Sequence, residues 1–474
     1  MGNEKVKKIL ITVCVVLVAA LVIGLTVYTN LASSGSLLRM KTAAETENFE
    51  VDGAMMTYFF NVNYQSYSSY ISYLGVDTSV SLKAQDCPYM TGGTWFDYFA
   101  SIAKTNVDQV LALCEAAHEA GIELEEADFA NVDATVETIR ESAKSYGYAL
   151  DQYLTLTMGT GINEKDVRNC LELTALASKY TNIYVDGLSY TEEDLEAYYS
   201  ANKATFDGVD YLAFTTESSD FMAKDTDGNP VGDTTEASAK AKAYADRLAA
   251  AASEDEFVSV VSEYITEVYG SEYAEDEVAK CYQTHAVASN LPEASEWAFS
   301  ANVGETFTIG EEGATTYSVY YLTATPYREE ATTRNVRHIL LSSDTYEDST
   351  TAETVYAELE AAGFSDDKFN ELVLKYSEDT GSVNNGGKYE NVARGETANE
   401  FNAWLFDGSR AVGDTDIVES TFGWHIMQYL GEGDKASWMV TAESLLKEED
   451  YRAHMEEYAA KITYHDSVIN GINA

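Results

Sequence analysis

The chain has 474 residues, 79 of them Asp or Glu against 30 Lys or Arg, for a formal net charge of −49. A field of that sign repels phosphate backbones, whose partners bind through Lys and Arg, so nucleic-acid binding is excluded. Hydrophobic residues at 45% and aromatics at 12% exclude a disordered acidic chain, and the length exceeds what one core supports, which implies about two to four folded domains.

In chain order, Lys5, Lys7 and Lys8 precede an uncharged run from Ile9 to Asn30. About 20 apolar residues cross a hydrocarbon core of ~30 Å as a helix. The flanking lysines hold the N-terminus in the cytoplasm, so the remainder is exported. Residues 1–30 are read as a cytoplasmic tip and an uncleaved transmembrane anchor, single-pass in a bacterial cell membrane, with the bulk of the chain on the outer surface. The rival reading is a cleaved signal peptide, because small residues follow in NLASSGS; the apolar run exceeds the ~7–15 residues usual for such peptides. On a tethered body the acidity serves solubility and mutual repulsion.

Residues 31–48 are small and polar and read as a linker. From 49 to 208 the pattern is that of an all-helical domain. Trp95, Phe96, Phe99, Ile102, Val107, Val110, Leu111 and Leu113 recur at helical spacings, and Gly121 is placed to end that helix. Asn163 and Thr191 each open a segment with an acidic first turn, as helix N-caps do. Tyr58, Tyr64, Tyr67, Tyr70 and Tyr73 either pack these helices or form an amphipathic surface for unfolded chains.

Beyond Asp207 the period shortens. VDYLAF at 209–214, TYSVYYLTA at 316–324, VRHILLS at 336–342 and GWHIMQYL at 423–430 are strand-like and are separated by helical segments, so this half is α+β. It also repeats itself. VDYLAF matches VRHILL; Tyr244, Ala245, Phe257 and Tyr264 match Tyr356, Ala357, Phe369 and Tyr376; SEWAF at 295–299 matches NAWLF at 402–406. Val303, Gly304 and Glu305 match Val412, Gly413 and Asp414, and YSVYYL matches FGWHIM. Two tandem domains of one fold are expected, at 209–326 and 333–434. Residues 435–474 follow as an amphipathic helix that packs on the helical domain, mediates a dimer or stands in solvent. Cys14, Cys87, Cys114, Cys170 and Cys281 have no metal-ligand spacing, so no metal site is expected, and one disulfide among the last four is possible.

The second copy resembles the parvulin family of peptidyl-prolyl isomerases over its whole length. The resemblance rests on V-R-H-I-L-L at 336–341, F-x-E-L-x-x-K-Y-S-E-D at 369–379, G-G-K-Y at 386–389, F-x-x-W-x-F at 401–406, V-G-D at 412–414 and F-G-W-H-I-M at 422–427, in family order. With the anchor and the helical segment, the chain looks like the PrsA/SurA-type extracytoplasmic foldases. The resemblance implies a multidomain α+β architecture: an N-terminal transmembrane helix, a helical chaperone domain, a degenerate parvulin-like domain and a parvulin domain.

It further implies that His338, Asp379 and His425 are the catalytic set. Tyr389, Thr397 and Phe401 would line the proline pocket, with Ser420 near the histidines. Thr397 stands where the family commonly has Met, and Tyr389 where it has Leu, so a more polar pocket of different shape is expected. In the first copy Tyr211 and Tyr320 occupy the histidine positions, and that domain is expected to be catalytically silent. The loop SSDTYEDST at 342–350 is acidic, which disfavours phosphorylated substrates. The function expected is prolyl isomerisation and chaperoning of unfolded or newly translocated secreted polypeptides containing X-Pro bonds, without cofactor or metal. The alternative is a non-catalytic holdase with vestigial parvulin domains. No GxSxG, HExxH or phosphate-loop motif points to another enzyme class.

Overall fold

The structure is a computed structural model that describes residues 34–224, 229–232 and 234–472. Residues 1–30, expected to form the anchor, lie outside the described residues. No helix among those described is long and apolar enough to cross a membrane. Within the described residues the chain forms two compact units, 34–189 with 447–472, and 190–446.

The first unit is mainly helical, with α1 Ser36–Arg39, α2 Gly53–Ser66, α3 Trp95–Glu119, α4 Glu126–Ser145, α5 Leu150–Met158 and α6 Glu164–Gly187. Local chemistry sets the helix starts. Thr94 and Asp97 form a reciprocal capping box on α3, Asn163 accepts from the Lys165 and Asp166 N–H groups at the start of α6, and Gly121 follows α3 at φ 68°. One face of α3 (Trp95, Phe96, Phe99, Ala103, Val107, Leu111, Cys114) is buried against Met56 and Phe60 of α2 and Cys170 and Ala177 of α6.

Two expectations for this unit need correction. Residues 31–48 are not simply a linker: they include α1 and strand β1 Thr42–Glu45, whose Ala43 and Ala44 are fully buried. The unit is not all-helical either. β1 pairs antiparallel with β2 Glu50–Asp52 and, on its other side, with Thr463–Tyr464 near the C-terminus. A pairing between segments some 420 residues apart leaves no local signature. The disulfide left open among the last four cysteines does not form among the described residues: Cys87, Cys114 and Cys170 of this unit and Cys281 of the second are separate buried thiols. The end of the C-terminal segment packs in the helical unit: Tyr458, Val468, Ile469 and Ile472 are buried in its core, and Tyr458 donates to Glu119 at 2.7 Å.

The second unit opens with α7 Glu192–Ala201, capped by Thr191 and Asp194. It then repeats one plan twice. The first repeat contains β3 Gly208–Glu217, α8 Thr234–Ala249, α9 Glu254–Val268, β4 Tyr282–Val287, β5 Thr306–Ile309 and β6 Thr316–Tyr327. The second contains β7 Thr332–Ser342, α10 Thr350–Ala361, α11 Asp366–Tyr376, β8 Lys388–Val392, α12 Asn399–Leu405, β9 Thr415–Ser420 and β10 Gly423–Ala436. Each sheet is antiparallel with the same order, β4-β3-β6-β5 and β8-β7-β10-β9.

The strand alternation decides which side chains face which helices. In the second repeat Ile339, Leu341 and Ile426 point to α10 and α11, burying Val355, Leu359, Phe369 and Leu372. Val336, Met427 and Tyr429 point the other way, against Phe401, Trp404 and Leu405 of α12. Residues 338 and 425 share this second face by parity. The helix α13 Ser437–Ala459 begins in this unit, where Trp438 and Ala442 pack on Leu195 and Phe206.

Candidate active site

Strand register brings the two histidines together. His338 on β7 lies opposite Met427 on β10, and His425 lies opposite Leu340, so the imidazoles are diagonal neighbours on one face. Their rings stack at 5.3 Å and 15°, with Nδ1 to Nδ1 at 3.1 Å. Both are buried, and the Phe401 ring meets each edge-on at 5.4 and 5.3 Å.

Asp379 reaches His338 from the loop that follows α11. Its Oδ2 lies 2.8 Å from His338 Nε2 and accepts from Ser382 Oγ and, at 2.9 Å, from the Tyr389 hydroxyl. Its Oδ1 accepts from the Gly381 N–H at 3.1 Å. At the other end, Ser420 Oγ is 2.8 Å from His425 Nε2 and accepts from the Phe422 N–H at 3.1 Å.

These contacts fix one direction for the whole chain of bonds. An ionised carboxylate only accepts, so His338 carries its proton on Nε2 and offers a lone pair at Nδ1. His425 then carries its proton on Nδ1, donates it to His338, and accepts at Nε2 from Ser420, whose oxygen accepts from the backbone. The electrostatics define the states of His425 and Asp379. Burial, then the neighbouring His338, lowers the His425 pKa to about 4. Asp379 is held well below the usual carboxylate range, chiefly by the His338 hydrogen bond and, after burial opposes it, by Ser382. Tyr389 is raised by burial and by donation to Asp379.

Beside this network lies a pocket of about 590 Å³ lined by His338, Leu340, Asp379, Tyr389, Val392, Glu396, Thr397, Ala398, Phe401, Phe422 and His425. Six of the seven residues expected at the site thus line it, and Ser420 stands behind His425. The Thr397 hydroxyl is buried without a hydrogen-bond partner among the described residues. Sequence reasoning passed over Ser382, which donates to Asp379, and Phe422, which is 62% exposed at the pocket's edge. Phe422 was visible as the first residue of F-G-W-H-I-M. Ser382 lies in a loop with no periodic signal. The pocket lining contains no Lys or Arg, and Asp344, Glu347 and Asp348 are exposed on the loop after β7.

The first repeat keeps the register and changes the chemistry. Tyr211 lies opposite Leu322 and Ala213 opposite Tyr320, the same pairing that places His338 and His425. The two tyrosine rings sit 5.7 Å apart, with Trp297 stacked on Phe307 beside them. The acid is also displaced. Three residues after Tyr264, where Asp379 follows Tyr376, stands Glu267; α9 continues through that position, and Glu267 accepts from Tyr244 at 2.5 Å.

The model of the PPIC-type PPIase domain family matches residues 318–432, beginning inside β6, so the chain carries a parvulin-type peptidyl-prolyl isomerase domain. Among curated proteins, Foldase protein PrsA 1 of Listeria monocytogenes serotype 4b (strain F2365) is 29% identical over 103 residues, 22% of this chain and 32% of that protein. Foldase protein PrsA 1 of Listeria innocua serovar 6a matches with the same identity and coverage. The aligned stretch spans about a third of the length of these relatives. Among solved structures, PrsA from Bacillus subtilis aligns over 78% of this chain and 87% of its own at 14% identity and a TM-score of 0.30. PrsA from Bacillus anthracis aligns over 28% of this chain and 61% of its own at 21% identity and a TM-score of 0.21.

Proposed function

We propose that the chain is an extracytoplasmic peptidyl-prolyl cis/trans isomerase and chaperone for secreted polypeptides, tethered to the membrane by the apolar run at 9–30. Catalysis belongs to 333–434, and 209–326 is a silent spacer or chain-binding domain. The observation that carries the catalytic assignment is the one-directional network from Ser420 through His425 and His338 to Asp379, set against an apolar pocket.

Rotation about an X-Pro bond meets a barrier of ~18–20 kcal/mol because amide resonance is lost midway. A site lowers it by binding the twisted amide better than either planar form. Phe401, Val392 and Ala398 provide apolar surface for the proline ring, and Thr397 and Tyr389 make this pocket more polar than the family pattern. The buried imidazoles hold fixed dipoles at one wall, where a carbonyl freed of resonance is sensitive to them. Because His425 stays neutral and Asp379 stays ionised at neutral pH, the network serves as scaffold and field. No proton need move in the reaction.

The test is protease-coupled isomerisation of a proline tetrapeptide by the full chain. His338→Ala and Asp379→Ala are expected to abolish acceleration while leaving suppression of aggregation of a denatured secreted protein intact. Wild-type protein that suppresses aggregation without accelerating isomerisation would establish the holdase reading instead. That reading draws on Tyr70, Tyr73 and Tyr89 of the helical unit, which are 64%, 87% and 64% exposed.

A further inference from the structure

The Asp379 oxygen at the centre of the network, Oδ2, has no capacity left for a substrate. An ionised carboxylate offers about four lone-pair sites over its two oxygens, and three donors already meet Oδ2: His338 Nε2 and the Ser382 and Tyr389 hydroxyls, while Oδ1 accepts from the Gly381 N–H. A peptide N–H approaching Oδ2 would have to displace one of them. Tyr389 is in the opposite condition. Its single proton is committed to Asp379, so its oxygen retains acceptor capacity, and its ring lines the pocket while 37% exposed. Donation to a charged acceptor also makes that oxygen a better acceptor, because bonds in a chain polarise one another.

The backbone leaves room for this arrangement at one point. A Cβ at Gly381 would lie 2.8 Å from Tyr389 Oη and 3.3 Å from Asp379 Oδ1, so any larger residue there crowds the hydroxyl against the carboxylate.

Resting on the prolyl-isomerase reading of this pocket, we propose that the Tyr389 hydroxyl is the catalytic residue that meets the peptide, accepting a backbone N–H that flanks the X-Pro unit. Asp379 is then a positioning residue that fixes the phenol's proton and aims its lone pairs. Proline itself has no N–H, so the donors available are those of the residues on either side of the X-Pro bond. The same oxygen, held beside an ionised carboxylate, rejects flanking carboxylates and phosphates, which bring lone pairs and no proton.

The experiment is a cycle between protein hydroxyl and substrate N–H. Full-chain wild type and Tyr389→Phe are each measured with an X-Pro tetrapeptide and with two analogues, in which an ester oxygen replaces the N–H on one or the other side. The readouts are kcat, KM and the peptide Kd from NMR titration. Loss of one such hydrogen bond is expected to lower wild-type kcat/KM about three- to tenfold for one ester. Tyr389→Phe shows a similar loss with the amide peptide and no additional loss with that ester. Gly381→Ala, which takes the hydroxyl's space and keeps the ring, reproduces the Tyr389→Phe pattern. Equal ester penalties in wild type and Tyr389→Phe, or no peptide binding at all, overturn the proposal. Peptide binding with this coupling but no acceleration by wild type removes the isomerase reading and leaves the Tyr389 contact standing.

Discussion

The lowered pKa of His425 makes the stability of the second repeat depend on pH in a window that can be worked out. An unfolded chain protonates this histidine as pH falls through about 6.5, whereas the folded domain holds it neutral until about 4. Between those values the unfolded state binds a proton that the folded state refuses, so stability falls as pH falls. Each tenfold difference in proton affinity between the two states is worth about 1.4 kcal/mol, so at pH 4.5 the linkage amounts to about 2 to 3 kcal/mol relative to pH 7. That is a sizeable part of the ~5–15 kcal/mol that holds a typical domain together. Asp379 does not contribute in this window. Its pKa is depressed, so its share is present above the unfolded carboxylate value near 3.9 and is lost only as pH drops further. The assay is peptide-resolved hydrogen exchange, corrected for intrinsic rates, on β7 and β10 at pH 7 and 4.5, in wild type and in His425→Asn. The opening free energy of these strands should fall by about 2 to 3 kcal/mol in wild type and by much less in the variant. An unchanged value in wild type, or the same drop in His425→Asn, refutes the reasoning.

Thr397→Val removes a buried hydroxyl that has no partner among the described residues and should stabilise the full chain by about 1 kcal/mol, seen as a higher denaturation midpoint; a lower midpoint counts against it. Gly387→Ala should destabilise the second repeat by about 2 kcal/mol or more and lower isomerase activity. The glycine sits at φ 77°, and a Cβ there would fall 2.3 Å from the His338 carbonyl oxygen. Exchange in β8 and β7 is the readout, and unaltered protection would sink the idea. Arg337, 1% exposed, stacks over Phe369 at 4.1 Å and donates to Gln428 at 2.8 Å. Arg337→Ala should therefore cost about 2 to 4 kcal/mol through lost packing as well as lost charge, and urea denaturation measures it.

The features legible in the sequence are those governed by short-range periodicity. Alternation over 336–342 and 423–430 placed 338 and 425 on strands, and the internal repeat implied two sheets of one design before any strand was paired. Caps at Asn163 and Thr191 were readable because the donors they satisfy lie two or three residues away. What escaped involves partners distant in sequence or loops without a period. β1 was hidden inside a polar stretch because it and its hairpin partner β2 are too short to show a period, and its other partner lies at 463–464. Ser382 carries no pattern of its own, and its role exists only because the loop after α11 folds Asp379 back toward β7.

The first repeat illustrates the same division. The replacement of both histidines by Tyr211 and Tyr320 was plain from alignment of the two copies. That α9 runs on through Glu267, whose carboxylate accepts from Tyr244, depends on where a helix stops, and helix ends answer to tertiary packing as much as to local propensity.

The sequence by itself determined the charge, the repeat, the strand parity of the histidines and the family they resemble, because each is written in composition or spacing. The tertiary structure alone decided that the C-terminal segment completes the helical unit, that four buried cysteines stay apart, and that three donors converge on Asp379 Oδ2 while Tyr389 keeps an acceptor open. The reason is physical: periodicity fixes which way a side chain points, but a hydrogen-bond count depends on every segment that converges on an atom, and those segments meet only in the folded chain.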